Sequence, residues 1–254
     1  MDRRTLLLAA GAATLGGCGG PAPGPAAAPA TTPAAGSSAP AGPSAAASPS
    51  VPTKTLPPEV ASGPRDRPAV ALTFHGQGEP GVVGGLLDAL AAERVKVTVL
   101  AVGVWVRQQP KLAQRVVADG HELGNHTLNH ADIKAMSDDK TYTEIVGCAT
   151  ALQEVAGGIG PWFRPSQTQH STARIQAQAA RAGYATCLSY DVDSLDYTDP
   201  GADAVVRTTL QGVRNGSIVS LHFGHAGTVT AIPKLLAGLR ERGLRPVTAS
   251  ELFA

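Results

Sequence analysis

Short apolar runs rich in β-branched residues alternate with segments of helical periodicity from residue 66 to residue 254. AVALTF (69–74) precedes a helical pattern near GLLDALAAE, VKVTVLAVG (95–103) precedes QPKLAQRVVADG, and a long helical pattern covers 138–156. PWFRP, YATCLSYDVD and SIVSLHF begin the later units. Repeated βα units imply a parallel sheet, either open and doubly wound or closed into a barrel. The region is long enough for one sizeable core, so we expect one α/β domain.

Five of the seven histidines lie at or just beyond the ends of predicted strands. They are His75, His126, His130, His222 and His225. In a (β/α) barrel, the loops at the carboxyl ends of the strands share one face, and that face carries the chemistry. The positions of these histidines therefore favour a barrel over an open sheet.

The first quarter of the chain differs sharply from the rest. MDRRTLLLAAGAATLGGCGG has an arginine pair, an apolar run and small residues that end at Cys18. The run is shorter than the roughly 20 residues that a membrane-spanning helix needs, which indicates an export signal. LGGC (15–18) resembles the lipobox of bacterial lipoproteins, so we predict a lipoprotein signal peptide over 1–18. A plain signal peptide cut elsewhere is the alternative.

Residues 19–65 are dominated by Ala, Pro, Ser and Gly, with few bulky apolar residues to bury. This composition predicts a disordered linker between the anchor and the domain at 66–254. We therefore expect an exported monomer, attached to the outer face of the cytoplasmic membrane only through a lipid on Cys18.

Charge and cysteine content exclude some classes of protein and leave others open. The formal net charge is +1 and aromatic residues are only 4%, so nucleic acid is not an expected partner. Cys148 and Cys187 are equally compatible with a disulfide in an exported protein and with two buried thiols.

GHELGNHTLNH places His126 and His130 four residues apart. On a helical turn, both imidazoles would project to one side, as a shared divalent cation requires. On spacing alone, a capped or surface histidine pair is an equal alternative.

Five short blocks resemble, in order, those of the polysaccharide deacetylases with a NodB homology domain. They are TFHGQG, GHELGNHTLNH, FRPS, DSLDY and SLHF. The resemblance covers nearly all of residues 66–254 and implies a distorted seven-stranded (β/α) barrel. It also implies a divalent metal, most often zinc, and removal of N-acetyl groups from an amino-sugar polysaccharide such as peptidoglycan or a chitin-like glycan.

The resemblance assigns roles to particular residues. It implies that His126 and His130 bind the metal, that Arg164 orients the catalytic base, and that His222 is the catalytic acid. Asp193 matches the acidic position of the fourth block and would tune the imidazole. Each assignment has a structural alternative: a surface ion pair for the arginine, a loop-capping role for Asp193 and Asp196, and a hydrogen-bonded core histidine for His222.

Three blocks depart from the family pattern, and in one of them, DSLDY, Tyr197 stands in place of a tryptophan. Where the family has Thr-Phe-Asp-Asp-Gly, with one aspartate as base and the next as metal ligand, this chain has His75 and Gly76. Ser220 replaces a usual apolar residue, and His170 and His225 match no family position.

Three interpretations of His75 follow. It is the third metal ligand beside His126 and His130, in a three-histidine site that suits Zn²⁺. Alternatively, it is itself the base, with Glu79 or a carboxylate of DSLDY completing the metal shell. In the third interpretation the carboxylates have been lost and the domain binds glycan without cleaving it.

Overall fold

The computed structural model describes residues 56–254, in which helices pack around a curved sheet of parallel strands. In chain order, the strands are β1 (Glu59–Val60), β2 (Ala69–Gly76), β3 (Thr98–Ala101), β4 (Glu122–Asn125), β5 (Cys187–Leu188), β6 (Val192–Asp193), β7 (Ile218–His222) and β8 (Arg245–Val247). The α-helices are α1 (Pro80–Ala92), α2 (Gly103–Gln108), α3 (Pro110–Ala118), α4 (Asp138–Ala156), α5 (Ala173–Arg181), α6 (Ala202–Gly212), α7 (Ala226–Glu241) and α8 (Ala249–Phe253). Short 3-10 helices cover Ile133–Ala135 and Asp196–Thr198.

Strand β2 is the centre of the sheet. It pairs in parallel with β3, β7 and β8, and the order across the sheet is β4-β3-β2-β7-β6. Single parallel bridges from Asn125 to Phe163 and from Phe163 to Cys187 connect β4 to β5. Because β6 follows β5 closely and pairs with β7, the strands form an irregular ring. The predicted α/β fold on parallel strands is confirmed.

The strand predicted at PWFRP is reduced to the single bridge position Phe163. Pro161 and Pro165 flank this segment, and a proline has no backbone N–H to contribute to a strand ladder. The ring is therefore least regular between β4 and β5.

The core lies on both faces of the central strands. Most of β2 is fully buried, as expected for a parallel strand that is covered by helices. Phe74 of β2 packs near Phe223, with ring centroids 5.4 Å apart. The long helix predicted at 138–156 is α4, which begins after a Ser137 cap and ends at Gly157 in the left-handed conformation (φ 77°).

The folded region begins before the predicted boundary at residue 66. β1 pairs with β5, Gly63 N–H donates to the carbonyl of Gly216 (2.8 Å), and Arg65 forms an ion pair with Asp191 (2.8 Å). The prediction of a linker over 19–65 is therefore wrong for residues 56–65. Residues 56–65 lie in a Pro- and Ser-rich context, and of them Val60 is buried against the domain. So short a segment has too little hydrophobic pattern to be predicted as a strand from sequence. The signal peptide at 1–18 and linker residues 19–55 lie outside the described residues.

Cys148 and Cys187 are both buried and free. The thiol of Cys148 donates to the carbonyl of Ala101 (3.3 Å). Burial raises the pKa of Cys148 to about 12 and that of Cys187 to about 11, so both remain protonated thiols. In the described part of the chain, no helix has both the length and the apolar character to cross a membrane.

Candidate active site

His75 and His222 meet across two paired strands. They occupy facing positions in the register of β2 and β7, and their rings stack with centroids 4.3 Å apart and planes 24° apart. His126 directly follows β4. The parallel sheet thus brings three of the predicted site histidines to the same end of the strands.

His75, His126 and His130 form a histidine cluster. One ring nitrogen from each lies within 4.8 Å of those of the other two. Nδ1 of His75 is 2.8 Å from Nε2 of His126, and the rings of His126 and His130 have centroids 4.8 Å apart. Glu79, which was predicted as a possible further ligand, is exposed and lies outside this group. Among the described residues, the cluster contains no carboxylate.

The segment that carries His126 and His130 is a loop, not the helical turn predicted from their spacing. Thr127 (φ 68°) and His130 (φ 55°) both adopt left-handed backbone conformations. Side chains hold this turn: Oδ1 of Asn125 accepts the N–H of Thr127 (2.9 Å), and Oγ1 of Thr127 accepts the N–H of His130 (3.2 Å). Such local hydrogen bonds compete with helix formation.

A backbone carbonyl fixes the proton of His126. Nδ1 of this buried imidazole lies 2.9 Å from the carbonyl oxygen of Arg164, which can only accept a hydrogen bond. Nδ1 therefore carries the proton, and Nε2 presents a lone pair towards His75.

The environment keeps the histidine cluster uncharged. Burial, followed by neighbouring imidazoles and Arg164, holds the pKa values of His75 and His126 well below their ordinary range. Burial and nearby His222 also lower the pKa of His130. Neutral imidazole is the form that binds a metal ion. Three converging neutral imidazoles therefore fit a divalent cation such as Zn²⁺.

Arg164 is fully buried and bonded mostly to neutral groups. Nε donates to the carbonyl of Leu188 (2.8 Å), and Nη2 donates to Oγ1 of Thr73 (2.8 Å) and the carbonyl of Ser189 (3.2 Å). Nη1 lies 3.4 Å from Nε2 of His75. Burial lowers the pKa of this guanidinium to about 10, and no carboxylate of the described residues bonds to it. The surface ion pair considered as an alternative is thereby excluded.

Asp196, not Asp193, contacts the predicted acid. Oδ1 of Asp196 lies 2.7 Å from Nδ1 of His222, and Oδ2 accepts the backbone N–H of His222 (2.8 Å) and the hydroxyl of Thr228 (2.7 Å). Burial would raise the pKa of Asp196, but the hydrogen bonds from His222 and Thr228 outweigh it and hold the pKa below its usual value. This carboxylate therefore stays ionised beside the imidazole.

Asp193 instead caps the turn that follows β6: its Oδ1 accepts the N–H of Leu195 (3.0 Å). The prediction that Asp193 tunes the imidazole is wrong in this geometry. Leu195 has φ 56°, and the resulting turn directs the next carboxylate, that of Asp196, inward. The Asp-x-x-Asp spacing identifies both residues as candidates, but only the fold distinguishes the buried one from the partly exposed one.

Gly76 occupies a position with no room for a side chain. A Cβ atom there would lie 2.7 Å from Cγ1 of Val99 and 3.0 Å from Cα of Ala101. A carboxylate at this position would therefore require the strands to move.

The other histidines lie outside the cluster. His170 is exposed, and its Nδ1 lies 2.9 Å from Oε1 of Glu59, the first residue of β1. His225 pairs with Asp199 (2.8 Å), with its ring centroid 5.9 Å from that of His222.

Comparison with known proteins agrees with this fold. A family model described as polysaccharide deacetylase matches residues 62–187. A peptidoglycan-N-acetylglucosamine deacetylase from Bacillus cereus is 32% identical over 200 residues, covering 75% of this chain and 90% of the relative. A chitooligosaccharide deacetylase from Bradyrhizobium sp. is 31% identical over 189 residues, covering 69% of this chain and 86% of the relative. The chain belongs to the polysaccharide deacetylase family.

Solved structures share the architecture. A CE4-family pseudoenzyme from Bacillus anthracis superimposes with a TM-score of 0.74 at 22% identity, covering 78% of this chain and 70% of that one. At this identity, the likeness concerns the fold alone.

Proposed function

We propose that the protein is a metal-dependent hydrolase that removes N-acetyl groups from an N-acetylglucosamine-containing polysaccharide of the cell envelope. The observation that carries the proposal is the meeting of the histidine cluster with the His222–Asp196 pair at one end of the sheet. Family membership and relatives named for peptidoglycan and chitooligosaccharides support this class of substrate.

The histidine cluster would hold the cation, and its three imidazoles suit Zn²⁺. When bound, a divalent cation supplies Lewis-acid polarisation of the acetamide carbonyl and activation of water. The chain's own contribution is to keep the three imidazoles neutral by burial and to fix the Nε2 lone pair of His126 through the Arg164 carbonyl.

His222 acts as the acid. Asp196 holds its Nδ1–H, so Nε2 is the nitrogen that exchanges a proton with the substrate. The oxygen of water bonds to the carbonyl carbon, the C–N bond breaks, and the departing nitrogen takes a proton from Nε2. One proton of water restores His222 and the other ends on the amine, so the products leave as acetate and an ammonium group.

Acetate release from chitooligosaccharides and from peptidoglycan fragments tests the proposal directly. The chain with Zn²⁺ is expected to release acetate, the chelated chain is not, and His222→Gln should lose turnover but keep its metal. His170→Gln is the matched control, because His170 lies outside the cluster. Turnover by His222→Gln would remove this residue from the acid role.

A glycan-binding domain without activity is the second candidate. Arg164 has no carboxylate partner among the described residues, and Gly76 leaves no space for the second aspartate of the family pattern. Retention of glycan without acetate release, with or without Zn²⁺, would establish this candidate in place of the hydrolase.

We further propose that the protein is exported and held at the outer face of the cytoplasmic membrane by a lipid on Cys18. The support is the LGGC pattern after a short apolar run. Replacement of Cys18 by Ala should move the protein from the membrane fraction to the soluble fraction, whereas an unchanged distribution would rule out the anchor.

A further inference from the structure

Two departures from the family pattern lie next to each other in the fold. His75 stands in place of an aspartate on β2, and Ser220 stands in place of an apolar residue on β7. Ser220 is only 1% exposed, and its Oγ lies 3.0 Å from Nε2 of His75. The hydroxyl therefore contacts the one residue of the histidine cluster that replaces a carboxylate.

The position of one proton decides whether His75 can bind a cation. A neutral imidazole carries a single N–H, on either Nδ1 or Nε2. Nδ1 of His75 lies 2.8 Å from Nε2 of His126 and donates a hydrogen bond to it when no cation is bound, so this is the nitrogen that points into the cluster. To bind a cation there, Nδ1 must be free of its proton, and Nε2 must carry it.

Of the two polar groups near Nε2 of His75, one opposes a proton on this nitrogen and the other can favour it. Nη1 of Arg164, 3.4 Å away, can only donate, so it repels an N–H at this position. The hydroxyl of Ser220 can either accept or donate. Of these two neighbours, it is therefore the one that can accept a hydrogen bond from Nε2–H.

We propose that Ser220 is a positioning residue of the metal centre. Its hydroxyl accepts the Nε2–H of His75 and thereby directs the lone pair on Nδ1 towards the cation position shared with His126 and His130. With an apolar side chain at 220, Nε2 would face only the arginine donor, and the proton would move to Nδ1 and block binding. This inference rests on the proposed metal dependence, and its test does not use turnover.

The test measures the affinity of the full-length chain for Zn²⁺ by competition with a chromophoric chelator. Loss of a hydrogen bond to a metal-binding histidine typically costs about 10–100-fold in metal affinity, and we expect a loss of this size in Ser220→Ala. Ser220→Thr keeps the hydroxyl and should restore most of the affinity. Ser250→Ala is the matched control, since Ser250 is a buried serine whose hydroxyl bonds to Trp162, outside the site.

The tautomer of His75 gives a second readout that a merely structural role would not change. In ¹⁵N-edited spectra of the zinc-loaded chain, the proton of His75 should be on Nε2 in the wild type. In zinc-treated Ser220→Ala, the proton should be on Nδ1 in a large fraction of molecules.

Equal Zn²⁺ affinity in Ser220→Ala and the wild type would overturn the inference, and so would a wild-type chain that binds no Zn²⁺. If the wild type binds Zn²⁺ through Ser220 but releases no acetate, the proposed hydrolase activity fails while the role of Ser220 stands.

Discussion

Oδ1 of Asp196 lies 2.7 Å from Nδ1 of His222, while Oδ2 of the same carboxylate accepts the backbone N–H of His222. One buried carboxylate thus fixes both the orientation and the proton of the imidazole that faces His75. The Asp196–His222 pair is therefore preorganised in the fold, without substrate.

Replacing Asp196 by Asn should lower kcat for acetate release by about 10²-fold, since a positioned general acid typically contributes 10²–10⁴-fold. The amide has no charge to stabilise the imidazolium and can turn a donor towards Nδ1. Zinc content should stay unchanged. Asp193→Asn is the matched control, because within residues 56–254 the Asp193 side chain bonds only to the backbone of its own turn. Equal kcat values for the two variants would contradict the assigned role of Asp196.

His75→Ala should lose most of its bound zinc, as measured by elemental analysis of the purified full-length chain. Removal of one of three imidazoles leaves only His126 and His130 in the cluster. His170→Ala, at an exposed position away from the cluster, should keep about one equivalent. If His75→Ala retains its zinc, the residue is better described as the base than as a ligand.

Gly76→Ala should destabilise the domain by about 1–3 kcal/mol, the typical cost of overpacking a core. The new methyl group would lie 2.7 Å from Cγ1 of Val99 and 3.0 Å from the backbone of Ala101. Gly84→Ala is the control in α1, where a Cβ meets nothing within 4 Å and the substitution should stabilise the helix by about 0.5–1 kcal/mol. Urea denaturation distinguishes the two, and an unchanged midpoint for Gly76→Ala would show that the strands can separate at little cost.

His121 should make stability depend on pH. Burial, followed by the charge of Lys96, lowers its pKa to about 4 from an ordinary 6.5, and its Nδ1 accepts the N–H of Val97 (3.2 Å). Because the folded state disfavours the proton, this contribution is complete above pH 6.5 and is lost as the pH falls towards 4.

The comparison with His121→Asn isolates this effect from the other buried histidines. Between pH 7 and pH 4.5, the wild type should lose about 2 kcal/mol more unfolding free energy than the variant, which keeps an acceptor but cannot gain a proton. Parallel curves for the two chains over this range would show that His121 does not titrate between the folded and unfolded states.

Local patterns were sufficient for the elements whose structure is set locally. The apolar run at 69–74 and the helical periodicity at 138–156 depend on residues close in sequence, and both elements appear within two residues of the predicted bounds. The parallel α/β arrangement follows from their alternation.

Side-chain hydrogen bonds, some local and some between residues far apart in sequence, explain what the sequence patterns did not predict. The shape of the loop at His126 depends on side-chain hydrogen bonds of Asn125 and Thr127, which spacing between histidines does not reveal. Which of Asp193 and Asp196 contacts His222 depends on the turn between them and on Thr228, which lies 32 residues after Asp196 and donates to its carboxylate. The contact between Ser220 and His75 joins positions 145 residues apart.

The two buried thiols, Cys148 and Cys187, can serve as natural probes of local unfolding in the domain. A cysteine reacts with a thiol reagent as the nucleophilic thiolate, and burial holds Cys148 and Cys187 in the protonated, inaccessible form. In a Cys18→Ser chain, the rate of labelling at each cysteine would therefore measure how often the region around it opens. Cys148 would report on α4 and Cys187 on β5, so local motion of these two elements could be followed without adding a probe.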